Sequence, residues 1–187
     1  VPASHLYRSA EGGARYEEVG AAAGAAVKTW GQGVLACDWN NDGYDDLVIT
    51  SYREPVVLLT SNGDGTYRTA RGERGLPGGD RWWTSATAID LDRDGLLDLY
   101  LGAYCRFEPE HWVENPPHIA FSGMTLPETM APSPYLAVPN AFLANRGDGS
   151  WLDRTDALKL ADVSGRTLAA LNADLDQDGW PDLFVAN

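Results

Sequence analysis

Three short acidic segments carry the chemistry of this sequence. They are Asp38-Trp39-Asn40-Asn41-Asp42-Gly43-Tyr44-Asp45-Asp46-Leu47, Asp90-Leu91-Asp92-Arg93-Asp94-Gly95-Leu96-Leu97-Asp98-Leu99 and Asp174-Leu175-Asp176-Gln177-Asp178-Gly179-Trp180-Pro181-Asp182-Leu183. All read D-x-[DN]-x-D-G-x-x-D-L, with a side-chain oxygen at positions 1, 3, 5 and 9. Carboxylates packed this closely repel one another unless a cation sits among them. A hard divalent ion with six to eight oxygen ligands fits, and Ca2+ fits better than Mg2+, which keeps its waters and demands a rigid octahedron. Position 6 is Gly, which allows a turn costly for other residues. The position-7 residue varies because only its carbonyl would face the ion. The expected ligands are Asp38, Asn40, Asp42, Tyr44 and Asp46 in the first loop and Asp90, Asp92, Asp94, Leu96 and Asp98 in the second. Asp174, Asp176, Asp178, Trp180 and Asp182 complete the third. Up to three Ca2+ ions are expected. Zn2+ would want His or Cys, and only Cys37 stands beside a loop. An EF-hand is excluded, because position 12 is Ile49, Leu101 or Val185 where that motif needs a bidentate Glu.

The loops belong to a longer repeat. An aromatic residue precedes each first Asp by 22 or 23 residues, at Tyr16, Tyr67 and Trp151. Gly-Asp-Gly stands before two of these aromatics, at Gly63-Asp64-Gly65 and Gly147-Asp148-Gly149. The first Asp recurs after 52 residues and then after 84, and the excess of 32 lies between Asp98 and Asp148. It marks an insertion at roughly 105–139 that holds seven of the eleven prolines, so an irregular excursion is expected there.

Short apolar runs lead into and out of each loop. Gly33–Cys37 enters the first, and Leu47–Thr50, Leu99–Leu101 and Leu183–Val185 leave the three. These are strand patterns. Val56–Thr60 and Thr66–Thr69, joined across Ser61–Gly65, read as a hairpin, repeated by Ala141–Ala144 and Trp151–Asp153. One unit is therefore four strands. Four-stranded antiparallel units recurring every fifty or so residues predict an all-β fold, a β-propeller. A lone hairpin strand of a preceding blade is expected at about 14–20. A blade follows at about 33–70, a second at about 82–155 with the insertion, and a partial blade at about 166–187. A short helical turn is expected within Ala157–Asp162.

The loops, with Trp30-Gly31 ahead of the first and Leu99-Tyr100-Leu101-Gly102-Ala103 after the second, resemble FG-GAP/VCBS repeats. These build the β-propellers of integrin α-subunit heads and of many secreted bacterial proteins. The hairpin Asn62-Gly63-Asp64-Gly65-Thr66-Tyr67 and the Tyr104-Cys105 pair at the insertion look closer still to the cartilage-acidic-protein-like, ASPIC/UnbV-associated branch. The resemblance implies Ca2+ in the loops, held by the fifteen residues above, and implies no catalytic residues. Arg166 departs from the pattern, standing where Trp30 and Trp82 stand in the other repeats.

About three blades make an incomplete ring, since propellers close with four to eight. The sequence reads as a fragment of a longer polypeptide, or else as a chain that docks on a protein completing its edges. It opens Val1-Pro2-Ala3, without initiator Met or leader, as a mature product or a piece would.

With 27 acidic against 14 basic residues, the formal charge is -13. Such a field disfavours nucleic acid and anionic membrane surfaces. Eleven of the acids are expected ligands, and three Ca2+ would bring the charge to -7. No apolar run is long enough to span a membrane. Cys37 and Cys105 are too few for a disulfide framework; they read as one bridge or two buried thiols.

Other signals are weaker. Arg146-Gly147-Asp148 falls where the parallel hairpin has Asn62-Gly63-Asp64, so it reads as a turn. His111 and His118, with Glu108, Glu110 or Glu114, could form a transition-metal site, but their spacing has no helical or strand logic. Trp30, Trp39, Trp82 and Trp180 accompany the repeat and are expected between blades, leaving Trp83 and Trp112 to face a ligand. Neither GxSxG nor HExxH is present, and every clustered Asp is committed to an ion, so the segment is expected not to be an enzyme. The function expected is an extracytoplasmic Ca2+-binding scaffold or protein-binding module, because free cytosolic Ca2+ is scarce. The alternatives are the non-catalytic propeller of a larger secreted hydrolase or lyase, or an accessory subunit peripherally attached to a membrane complex.

Overall fold

The computed structural model describes residues 1–72, 74–106, 118–121, 124–127 and 136–187. The strands are β1 (Tyr7–Ala10), β2 (Arg15–Glu18), β3 (Gly31–Cys37), β4 (Asp46–Ser51), β5 (Val57–Ser61), β6 (Tyr67–Arg71), β7 (Trp83–Ile89) and β8 (Asp98–Ala103). They continue as β9 (His118–Phe121), β10 (Met124–Pro127), β11 (Ala141–Asn145), β12 (Trp151–Asp153), β13 (Ala169–Ala173) and β14 (Asp182–Ala186), with one short α-helix among the described residues, α1 (Thr155–Leu158), and a 3-10 turn at Glu11–Gly13. Two four-stranded antiparallel sheets form, β3-β4-β5-β6 and β7-β8-β11-β12, and β13 pairs with β14 and β1 with β2. The first strand of each successive sheet packs on the next, β7 lying against both β3 and β13. This is an incomplete β-propeller with an unclosed ring.

Period-2 alternation explains how the sheets stack. In β4 and β5, Val48 and Leu58, with Val56 just before β5, point into the core shared with the next blade, while Ile49, Val57 and Leu59 point into a second core behind. In β8 and β11, Leu99, Leu101, Ala141 and Leu143 face the first of these cores, and Tyr100 and Phe142 face a third, beside β13 and β14. Both faces of the middle strands are thus buried, which is why they read as continuous apolar runs rather than alternating ones. The seams are also tied by polar groups. Buried Asn140 accepts from Ala103 N (2.7 Å) and donates to Tyr100 Oη (2.7 Å) and Thr167 Oγ1 (2.9 Å), joining the second blade to the third.

Several sequence expectations need correction. The stretch near Tyr16 is not a lone strand: β2 pairs with β1, Tyr7 opposite Glu18 and Ser9 opposite Tyr16. Trp83 does not face a ligand; it is fully buried in the core, its indole N–H donating to Gly78 O at 3.1 Å. A bulge between Trp83 and Ser85 shifts the register there. Trp82 needs no such correction: it lies between Tyr52, just after β4 of the first blade, and Tyr104, just after β8 of the second, ring centroids 4.9 and 5.2 Å away. Trp39 packs on Trp151, but Trp30 is half-exposed. The helical turn begins earlier than expected, because Asp153 Oδ1 accepts Thr155 N (2.9 Å) and Thr155 Oγ1 accepts Phe142 N (2.8 Å). It ends at left-handed Lys159 (φ 59°).

Cys37 and Cys105 are free, buried thiols. Within the insertion the backbone of β9 and β10 forms a two-stranded sheet where irregular chain was expected, with Pro127 at a strand end that tolerates it. Trp112, His111, Glu108, Glu110 and Glu114 lie outside the described residues, and of His118 only the backbone is described. No described helix is long and apolar enough to cross a membrane.

Replacing Asn140 by Ala is expected to strand the buried Ala103 N–H and cost about 1–3 kcal/mol. Urea unfolding followed by Trp fluorescence measures it.

Candidate metal centre

Each acidic loop joins the first strand of a sheet to the second, and local hydrogen bonding folds all three alike. The position-6 Gly N–H donates to the position-1 Asp: Gly43 to Asp38 Oδ2 at 2.8 Å, Gly95 to Asp90 Oδ2 at 3.1 Å, and Gly179 to Asp174 Oδ2 at 3.0 Å. The position-7 N–H donates to the position-5 Asp: Tyr44 to Asp42 at 3.0 Å, Leu96 to Asp94 at 2.8 Å, and Trp180 to Asp178 at 2.7 Å. The position-6 glycines have φ of 88°, 87° and 86°, the left-handed region that favours Gly. Position 4 is left-handed too, at Asn41 (56°), Arg93 (60°) and Gln177 (63°). Two left-handed residues two apart coil the chain tightly enough to gather the alternate side chains.

The gathering is closest in the second and third loops. One carboxylate oxygen from each of Asp90, Asp92 and Asp94 lies within 4.8 Å of the others, and so do those of Asp174, Asp176 and Asp182. At that separation each charged pair repels by about 1 kcal/mol in water and roughly 3.5 kcal/mol at an effective dielectric near 20. Asp90 Oδ1 is buried without a hydrogen-bond partner. In the first loop, the Asn40 amide donates to Asp42 Oδ2 (2.9 Å) and partly replaces a cation's role, while Asn40 Oδ1 and Asp38 Oδ1 both accept Asp42 N.

Position 9 ties the loop to the sheet. Asp46 is fully buried; its Oδ1 accepts Ser61 N from β5 at 2.7 Å, and its Oδ2 has no partner. Burial, opposed by the Ser61 bond and reinforced by Asp42 and Asp38, pushes its carboxyl up to about 6. Asp98 accepts Asn145 N from β11 at 2.9 Å and Leu91 N at 3.4 Å, and burial likewise raises it. Asp182 accepts Leu175 N at 2.9 Å. Cys37, beside the first loop, is pushed up to about 12 by burial and then by Asp46, Asp45 and Asp38, so it stays a thiol.

The loops also touch one another. Asn41 Nδ2 donates to Gly95 O at 2.7 Å, and the Arg93 guanidinium lies 3.9 Å from the Trp180 ring centroid. Residues overlooked in the sequence are Ser61 and Asn145, the strand ends that meet the position-9 carboxylates; Asn145 Nδ2 also donates to Trp39 O (2.8 Å) and Leu97 O (3.1 Å). Their signal was a polar residue closing an apolar strand just before each hairpin turn. The Arg146-Gly147-Asp148 tripeptide is such a turn, with Arg146 N donating to Ser150 O and Asp148 Oδ1 accepting Ser150 N.

The donor set is oxygen-only and anionic, and an unpaired buried carboxylate oxygen stands at the first two loops. These groups fit a hard divalent cation and do not fit a thiophilic one. A comparison with curated proteins finds no match. A family model described as FG-GAP-like repeat matches residues 6–101, over half of the chain, spanning the first two acidic loops and the sheet between them. With the four-stranded sheets and the repeated loops, this shows that the chain belongs to the FG-GAP-like repeat family.

Proposed function

We propose that the chain is a Ca2+-stabilised β-propeller module that serves, outside the cytoplasm, as a scaffold for another protein and catalyses nothing itself. The observation that carries this reading is the buried Asp46 carboxylate, hydrogen-bonded through one oxygen and left unpaired at the other beside two further acids. In water-poor surroundings such a group is costly unless a cation joins it. Side chains at positions 1, 3, 5 and 9 of each loop, with the carbonyls of Tyr44, Leu96 and Trp180, would hold the ion. The ion would supply positive charge that removes the repulsion within the loop. Because the folded loops bind it and the unfolded chain does not, its affinity becomes folding energy. An extracytoplasmic setting supplies enough Ca2+ for sites of this kind. Within the family, the Asn62–Tyr67 hairpin and the Tyr104-Cys105 pair favour the cartilage-acidic-protein-like branch.

Thermal unfolding in Ca2+ and in EGTA tests the proposal. A site at one hundred times its Kd adds about 2.7 kcal/mol, which at this length corresponds to roughly 5–10 °C in Tm. An unchanged Tm, together with no bound Ca2+ by elemental analysis, would refute it. Asp94→Ala and Asp178→Ala should each remove one ion and most of the matching Tm gain, whereas Asp45→Ala, at an exposed neighbour, should remove none.

The pH dependence follows from Asp46. Its folded value of about 6 lies above the ordinary 3.8, so the folded state holds this proton more tightly than the unfolded state. Its contribution in EGTA is therefore complete below about pH 4 and lost as pH rises to about 6. Asp46→Asn should flatten that fall, and in the native chain the Ca2+-induced Tm gain should be larger at pH 7.5 than at pH 5.

A further inference from the structure

The acidic loops meet at the seams between blades, and the residue that makes the contact stands at the same place in each. Position 4 of the first loop, Asn41, donates its side-chain amide to Gly95 O, position 6 of the second, at 2.7 Å. Position 4 of the second, Arg93, lays its guanidinium 3.9 Å from the ring centroid of Trp180, position 7 of the third. Neither side chain joins the expected ligands of its own loop. Each reaches its neighbour.

The Asn41 contact bears directly on ligands of the second loop. The carbonyl it engages belongs to the Gly95–Leu96 peptide, whose N–H donates to Asp94 Oδ1 at 2.8 Å. One peptide unit is thus gripped at both ends, by Asn41 at its oxygen and by Asp94 at its nitrogen. Asp94 and the Leu96 carbonyl, on either side of that unit, are both expected to hold an ion. Glycine at 95, with φ 87°, lets the unit rotate at little cost once its oxygen is released. Hydrogen bonds in series also polarise one another, so the bond from Asn41 strengthens the one to Asp94.

Asn41 is held in turn by the first loop. It stands between Asn40 and Asp42, both expected ligands, with left-handed backbone (φ 56°) that costs free energy at any residue with a side chain. Without an ion, that conformation rests on the Asn40 amide bond to Asp42 Oδ2 and on Asp42 N donating to Asp38 and Asn40. An ion drawing the oxygens of Asn40 and Asp42 to one centre fixes both flanking residues, and with them the direction of Asn41.

We propose that Asn41 is a positioning residue through which an ion in the first loop raises the affinity of the second, and the reverse by the same factor. The coupling rests on the proposed Ca2+ sites, which the unpaired buried oxygens of Asp46 and Asp90 support at these two loops. Its size is that of one net hydrogen bond, a factor of about two to ten in a binding constant. Charge acting through space has the opposite sign, because two divalent ions repel. The sign of the coupling separates the two.

The position-6 amides of Gly43 and Gly95 report the two loops separately by NMR. Ca2+ is added stepwise to the isotope-labelled chain in about 0.15 M salt, where the screening length is about 8 Å. Asp42→Ala, which takes a ligand from the first loop, should raise the half-saturation concentration at Gly95 by about two- to tenfold. Asp94→Ala should do the same at Gly43. Asn41→Gly suits the left-handed backbone but removes the amide, so in that background Asp42→Ala should leave Gly95 unmoved. A Gly95 value that Asp42→Ala lowers, or leaves within twofold, overturns the coupling. A shift that persists undiminished in the Asn41→Gly background overturns the role of Asn41. Saturable but independent responses at the two glycines would sink this inference alone. No response at either would sink the proposed ion sites as well.

Discussion

One carboxylate per blade holds the arrangement together. The position-9 aspartate, Asp46 or Asp98, sits at the first residue of the second strand, buried, with one oxygen on the third strand's backbone and its side chain turned to the acidic loop. It is part of the sheet and part of the loop at once. A shift of the hairpin by one residue would flip every side chain of β5 or β11 to the wrong core and would also deprive this carboxylate of its donor. Loop geometry and sheet register therefore constrain each other.

The same residue concentrates the electrostatic cost. Burial disfavours its charged form, and Asp38 and Asp42 add to that in the first loop. Three near-identical coils supply the remaining oxygens, set by backbone amides donating to positions 1 and 5. The backbone bonds hold the acids together before any ion arrives, so the ion would meet a site already shaped. The coils are not independent, since Asn41 reaches Gly95 and Arg93 covers Trp180.

Much of this was legible in the sequence. Ligand-type residues at fixed spacing, each followed by an apolar run, placed the loops between strands, and the repeat of aromatic and Gly-Asp-Gly markers placed the hairpins. What escaped reading had physical reasons. β1, Tyr-Arg-Ser-Ala, is four residues long with one aromatic and no aliphatic run, too little pattern to announce a strand. Trp83, expected to face a ligand, is buried instead, because the bulge between Trp83 and Ser85 breaks the alternation that would have told its side from its neighbour's. Ser61 and Asn145 act through backbone N–H groups, which any residue but proline possesses, so residue type alone announced little.

The middle strands of both complete sheets bury residues on two faces, and each face belongs to a different core. A single blade consequently has no interior of its own; what is packed is the seam. Thermodynamically the module resembles a row of interfaces more than a row of bodies. Deleting one whole unit would therefore bring together two faces that do not meet in this fold, and its cost would be read at that new seam rather than inside any blade.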